Sequence, residues 1–273
     1  MGIFDGILIC TDLDGTILRN DKSISKENIE AIEFFKREGG KFTFITGRMP
    51  YYAVDMYKLI NPNAPIGCVN GGGVFDYSEE KYIWTSVMPS GVDELIRAVD
   101  ERLPEVGINV STFYKTYFYK DSSAMVRFRK SAKLSNEVKH YAEVCEPIGK
   151  IIFATDKEEE ILEVQRILES HRLAESFDFI RSERSLFEIL PKGINKGVVI
   201  KKLAEYLNID ENKTVAIGDY DNDIAMFAAA KIGVAVSNAC QKAKDAADYV
   251  TVSNEEHAIA KLIYDIQKGV YPI

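Results

Sequence analysis

The chain opens on a short unbroken apolar run, GILIC at 6–10, and two aspartates follow almost at once in CTDLDGTIL. Apolar residues in succession, with no alternation, predict a strand buried on both faces, as in a parallel sheet. Asp12 then stands at its C-terminal tip. The period changes in SKENIEAIEFFKREGG, where apolar residues recur at helical spacing, with Ser25 as N-cap, Ile24 and Ile29 as a hydrophobic staple, and Gly39-Gly40 as the stop. KFTFITGR reads as the next strand, YYAVDMYKLI as a helix, IGCV as a short strand, NGGG as a turn and VFDYSEEKYIWTSV as a hairpin.

From about Met88 the texture differs. VDELIRAVDERL is helical in spacing, INVSTFYKTYFY and AMVRFR alternate like strands, KIIFAT is a strand, EEEILEVQRILESH a helix, and FDFIRSERSLFEIL an antiparallel pair. That order predicts an α+β unit of its own. Strands and helices then alternate again through KGVVIKKLAEYL, TVAIGD, DIAMFAAA, IGVAV, ACQKAKDAAD, YVTV and EEHAIAKLIYDIQ. The pattern as a whole predicts an α/β fold, a doubly wound parallel sheet built from residues 1–86 and 188–273, with 87–187 inserted as an α+β domain.

Composition and charge narrow the function classes. The 273 residues are 46% apolar, enough for a sizeable core. A net charge of −8 argues against a nucleic-acid backbone or an anionic membrane as partner, since both select a basic face. No apolar run approaches the ~18 residues of a membrane span. MGIFDGILIC has no basic leader, and Gly6 stands where an N-myristoylation motif needs Ser or Thr. A cytoplasmic protein is expected. Cys10, Cys68, Cys145 and Cys240 are widely spaced, which suits reduced thiols better than a disulfide frame or a zinc site. Nothing in the pattern separates an oligomer interface from core.

In open parallel sheets ligands bind beyond the C-terminal strand ends. The predicted tips carry Asp12 and Asp14, then Thr46, Gly47 and Arg48, then Gly218-Asp219 with Asn222 and Asp223, while PKGINKG brings Lys196 to a helix start. Four carboxylates at one edge repel by ~4 kcal/mol per close pair at an intermediate dielectric. A cation is therefore implied, and all-oxygen ligands without histidine select a hard one, magnesium. Beside it Asp12 can attack phosphorus as a nucleophile and form an aspartyl-phosphate. Asp14 can protonate the leaving oxygen and then deprotonate water. Gly15 allows the sharp turn, and the Thr46 hydroxyl, Gly47 amide and Lys196 are placed to hold phosphoryl oxygens. Asp219 closes the metal site, Asp223 supports it directly or through water, and Asn222 donates towards phosphate. Arg48 reads as a substrate contact or as a surface residue.

DLDGT, TGR, NKG and GDYDND, in that order, resemble the four motifs of the haloacid dehalogenase superfamily of phosphohydrolases. The insertion and the run GVAVSNACQKAKDAADYVTVSNEE resemble its Cof-type branch, which carries a large α/β cap between the second and third motifs. The resemblance covers nearly the whole chain, the cap by size and element order only. It implies the roles just given for Asp12, Asp14, Thr46, Lys196, Asp219 and Asn222, a metal-binding carbonyl at Asp14, and a phosphate-binding amide at Leu13. Family spacing also favours Lys196 over Lys192. His257-Ala258 stand where the branch often has Asp-Gly.

Several features have plainer readings. NGGGV lacks the spacing of a dinucleotide loop and reads as a turn. FYKTYFYK, Arg127 and Arg129 can grip the organic part of an ester or simply form the faces of strands. The expected activity is a magnesium-dependent phosphatase acting on a small phosphorylated metabolite, such as a sugar phosphate. A phosphomutase is the nearest alternative. A phosphate-sensing receiver module stands further off, because Asp14 would shorten the life of a stored phosphoryl group.

Overall fold

The computed structural model describes residues 2–273. In chain order the elements are β1 (Leu8–Thr11), α1 (Lys26–Arg37), β2 (Lys41–Phe44), α2 (Val54–Ile60), β3 (Ile66–Cys68), β4 (Gly73–Asp76) and β5 (Lys81–Thr85). Then come α3 (Val92–Arg102), β6 (Gly107–Thr112), β7 (Thr116–Lys120), α4 (Ser123–Ser131), β8 (Ile148–Ala154), α5 (Glu158–Glu169), β9 (Phe177–Glu183) and β10 (Leu186–Pro191). The chain closes with α6 (Lys196–Leu207), β11 (Thr214–Gly218), α7 (Ile224–Ala229), β12 (Ile232–Ala235), α8 (Gln241–Ala246), β13 (Tyr249–Val250) and α9 (Ala258–Gln267). Among the described residues no helix is long and apolar enough to cross a membrane.

The chain divides into two compact units, one made of Met1–Gly47, Asp55–Trp84 and Asn195–Ile273, the other of Arg48–Val54 and Thr85–Ile194. In the first, a parallel sheet runs β13-β12-β11-β1-β2. Its central strands β1 and β11 are mostly apolar because both faces are covered: Leu8, Ile9, Cys10, Val215, Ala216 and Ile217 are wholly buried. Ser25 caps α1 by accepting from the Asn28 amide. The buried Asn28 in turn accepts from the Ala260 amide at 3.0 Å, fixing α1 against α9. A second, three-stranded sheet runs β3-β4-β5.

The second unit is an antiparallel sheet, β7-β6-β8-β10-β9. Its core sets Val92, Leu95, Ile96 and Val99 of α3 and Ile161, Val164 and Leu168 of α5 with Ile108, Val110, Ile151 and Phe153 of the sheet. Buried opposite-charge partners also sit here: Lys150 Nζ donates to Glu188 at 3.0 Å, both side chains 3% exposed.

Three expectations are corrected. AMVRFR is not a strand but α4, because Ser122 caps the Met125 amide and Ala124 and Met125 turn one helical face inward. Arg127 and Arg129 accordingly leave the helix towards Asp156 and Asp121, not from a strand face. The segment YYAVDMYKLI is helical only from Val54, after a 3-10 turn at Pro50–Tyr52. The boundary expected at 187/188 cuts through β10, whose pairing with β8 and β9 keeps it in the second unit as far as Ile194. Arg48–Val54 also joins that unit, where the Tyr51 hydroxyl hydrogen-bonds Thr116 Oγ1 at 2.6 Å and donates to the Thr112 carbonyl at 3.3 Å.

Candidate active site

Because β11, β1 and β2 are adjacent and parallel, their C-terminal ends bring Asp219, Asp12 and Thr46 to one edge. Asp12 is the first residue past β1, and its amide still donates to the Ile217 carbonyl at 2.9 Å. That bond fixes the direction in which its side chain leaves the sheet. Lys196 begins α6, capped by Asn195 through the Gly197 amide, and is 1% exposed. Its Nζ donates to Asp12 Oδ1 at 2.6 Å and to Asp223 Oδ1 at 2.5 Å. The other Asp223 oxygen accepts the amides of Asp219 and Tyr220, so this buried carboxylate has both oxygens engaged.

Asp12, Asp219 and Asp223 each bring a carboxylate oxygen within 4.8 Å of the others. Gly15 has φ +82°, and a Cβ there would collide with the Asp219 carboxylate. The Thr16 hydroxyl donates to Asp219 Oδ1 at 2.9 Å. The Asp14 side chain stands apart from this triad: Lys22 Nζ donates to its Oδ1 at 2.7 Å, in an ion pair whose side chains are 44% and 62% exposed. Thr46 is buried, with its amide on the Gly67 carbonyl and its own carbonyl accepting the Asn70 amide. Asn222 Nδ2 donates to Asn70 Oδ1 at 3.3 Å. The Leu13 side chain is buried in the core, and the Leu13 carbonyl accepts from Leu18. Arg48 belongs to the other unit. Lys192 is exposed and pairs with Asp178, leaving Lys196 as the lysine at the carboxylates.

The electrostatics are short of positive charge. Burial pushes the Asp12 carboxyl well above the usual carboxylate range, Asp223 and Asp219 push the same way, and Lys196 pulls against them. Burial, then Asp223, pushes Asp219 up to about 6. Burial drags the Lys196 ammonium down, but Asp12 and Asp223 more than offset it and hold its proton. Three clustered carboxylates facing one ammonium, all donors being oxygen, fit a hard divalent cation. Asp12 and Asp219 are the ligands best able to hold it, since Asp223 already has both oxygens engaged.

Thr16, Lys22 and Asn70 enter this neighbourhood without having been singled out in the sequence. Thr16 lies within DLDGT and was within reach of motif reading. Lys22 and Asn70 arrive through turns with φ +67° and +52°, which hydrophobic periodicity does not register.

A family model for the haloacid dehalogenase-like hydrolases matches residues 9–263. The chain is 28% identical over 263 residues to 5-amino-6-(5-phospho-D-ribitylamino)uracil phosphatase YitU of Bacillus subtilis, covering 94% of this chain and 96% of that one. A haloacid dehalogenase-like hydrolase of Bacteroides thetaiotaomicron superposes with a TM-score of 0.84 at 26% identity, over 95% of this chain and 99% of that one. The subclass IIB sugar phosphatase BT4131 superposes with a TM-score of 0.83 at 23% identity, over 96% and 98% of the two chains. The protein is thus a phosphatase by kinship, and it belongs to the haloacid dehalogenase-like hydrolases, in their Cof-type branch.

Proposed function

We propose that the protein is a magnesium-dependent phosphatase of small phosphorylated metabolites, sugar or polyol phosphates foremost, working through an aspartyl-phosphate on Asp12. The observation that carries this reading is the position of Asp12 at the sheet edge, with Lys196 Nζ at 2.6 Å and the Asp219 carboxylate in reach. Asp12, Asp219 and the Asp14 carbonyl would hold the metal, which when bound neutralises charge on the phosphoryl group and on the nucleophile. Lys196 keeps Asp12 ionised and oriented. The free Asp12 oxygen attacks phosphorus, the P–O bond to the leaving group breaks, and Asp14 hands that oxygen a proton. For this step Asp14 exchanges its surface partner Lys22 for the ester. Asp14 then takes a proton from water as the water oxygen attacks the acyl phosphate, releasing inorganic phosphate and restoring Asp12. The Thr46 hydroxyl, the amides of Leu13 and Gly47, and Asn222 hold the phosphoryl oxygens, and Asp223 holds Lys196. The choice among esters is assigned to the second unit, with Arg48 as its substrate contact.

The polyol preference is supported by two similar proteins, YitU, a phosphatase of a phosphoribityl compound, and BT4131, a sugar phosphatase. Phosphate release from a panel of phosphorylated metabolites, with magnesium and with a chelator, tests the reading. Release should need the metal and fall by at least about 10³-fold in Asp12→Asn, in which the amide cannot act as the nucleophile. Appreciable turnover in Asp12→Asn, or release unaffected by chelation, would overturn it.

A further inference from the structure

The turn that follows β3 has no part in the mechanism above, yet its backbone is unusual. Val69 has φ +58° and Asn70 φ +52° with ψ +31°, two successive non-glycine residues in the left-handed region. A β-branched residue rarely adopts that conformation, and both residues are buried, 0% and 1% exposed. Strain of this kind persists where the surroundings over-determine it, and it concentrates at functional sites.

The surroundings here can be named. The Asn70 amide donates to the Thr46 carbonyl at 3.1 Å, while the Thr46 amide is held by the Gly67 carbonyl at 3.0 Å, so the turn after β2 is clamped from both sides by the β3 segment. Asn70 Oδ1 accepts from Asn222 Nδ2 at 3.3 Å. The same carboxamide covers Gly47 so closely that a Cβ there would lie 2.9 Å from Oδ1. The next residue, Gly71, has φ +107° and sits where a Cβ would run into the carbonyl of Asn195, the residue that caps the helix starting at Lys196. One turn therefore touches Thr46-Gly47, Asn222 and Asn195, segments from three distant parts of the chain that converge on the phosphate donors.

We propose that Asn70 is a positioning residue of the phosphate pocket, its side-chain oxygen aiming the Asn222 amide while its backbone holds the Thr46-Gly47 turn. The assignment rests on the phosphatase reading given above. Asn70 touches no reacting atom and acts through Asn222 and the turn. A merely structural asparagine, present because it tolerates a positive φ, would be replaceable by glycine without loss.

Asn70→Gly separates the two roles, because glycine keeps the left-handed backbone and removes the carboxamide. Two readouts are measured on the full chain, kcat/KM for p-nitrophenyl phosphate and calorimetric binding of inorganic phosphate with magnesium present. Both should weaken by about tenfold in Asn70→Gly, since donors displaced by a fraction of an ångström lose much of their effect. In an Asn222→Ala background the same change should cost less than about twofold, because the two side chains act as one unit. Wild-type phosphate affinity and kcat/KM in Asn70→Gly would overturn the proposal, as would losses that multiply in the double variant. Should the glycine variant not fold, Asn70→Ser, too short to reach Asn222, is judged by the same measurements. A wild-type protein that binds phosphate but hydrolyses no ester would sink the phosphatase reading, and phosphate binding by the variants would still decide Asn70.

Discussion

Replacing Lys196 by Met leaves Asp12 and Asp223 buried without the ammonium they share. Removing one partner of a buried ion pair costs about 3–5 kcal/mol, so Lys196→Met should lower the urea midpoint in chelator as well as abolish turnover. A variant that is inactive but as stable as wild type in chelator would show that the pair is not energetically coupled to the fold. Asp219→Asn tests the metal set from the other side. Wild type should gain about 2.7 kcal/mol of stability when the cation is at 100 times its dissociation constant, and the variant should lose most of that gain in scanning fluorimetry with and without magnesium. A wild-type melting point indifferent to magnesium and chelator would remove Asp219 from that role. At this scale Asp12, Thr46, Lys196 and Asp219 were legible in the sequence because each lies at a strand tip or helix start that the apolar runs delimit. Lys22 and Asn70 were not, because their place depends on positive-φ turns and on partners up to 152 residues away.

At the scale of elements, α4 shows why alternation misleads over six residues. AMVRFR satisfies a period of two, but Ser122 accepts from the Met125 amide and donates to the Ala154 carbonyl, and the helix follows from that cap. Ser122→Ala should cost about 1 kcal/mol in urea unfolding, with Ser122→Asp recovering part of it; no change for Ser122→Ala would mean the cap is dispensable. The buried pair on β8 and β10 offers a second test. Lys150→Met leaves the Glu188 carboxylate buried beside a methyl group and should destabilise by about 3–5 kcal/mol, whereas Lys150→Met with Glu188→Leu should come back close to wild type. Burial pulls the Lys150 ammonium down, but Glu188 and Tyr52 raise it above its ordinary value of 10.5. A raised folded value means the stabilisation is complete below that pH and fades as pH climbs through the folded value. The difference between wild type and Lys150→Met should therefore narrow above about pH 10.5. A difference that stays constant or widens there would contradict the assignment. KIIFAT was readable as a strand, but not that its Lys150 would be buried opposite a carboxylate, since β8 and β10 meet only in the folded sheet.

For the molecule as a whole, each unit has a core of its own, and Arg48–Val54 is tied to the second by the Tyr51 hydroxyl although it lies in the sequence between β2 and α2. Calorimetry should accordingly resolve two unfolding transitions, and Tyr51→Phe should lower only one of them, by about 1 kcal/mol for the lost hydrogen bond. One transition with equal calorimetric and van't Hoff enthalpies would show the units to be a single cooperative block. By itself the sequence determined most of the order of elements, α4 being the exception, together with the parallel sheet, the presence of an inserted α+β unit and the motif residues at the strand tips. Those follow from local periodicity and from turn and cap chemistry, which act over a few residues. Only the tertiary structure decided that Lys196 joins Asp12 to Asp223, that Asp14 turns to Lys22, that the β3 turn braces Thr46 and Asn222, and that Arg48 goes with the second unit. Apart from the Asp14–Lys22 pair, which a positive-φ turn closes over eight residues at the surface, each of these joins segments far apart along the chain and is set by sheet order and by which polar groups find partners once water has been excluded.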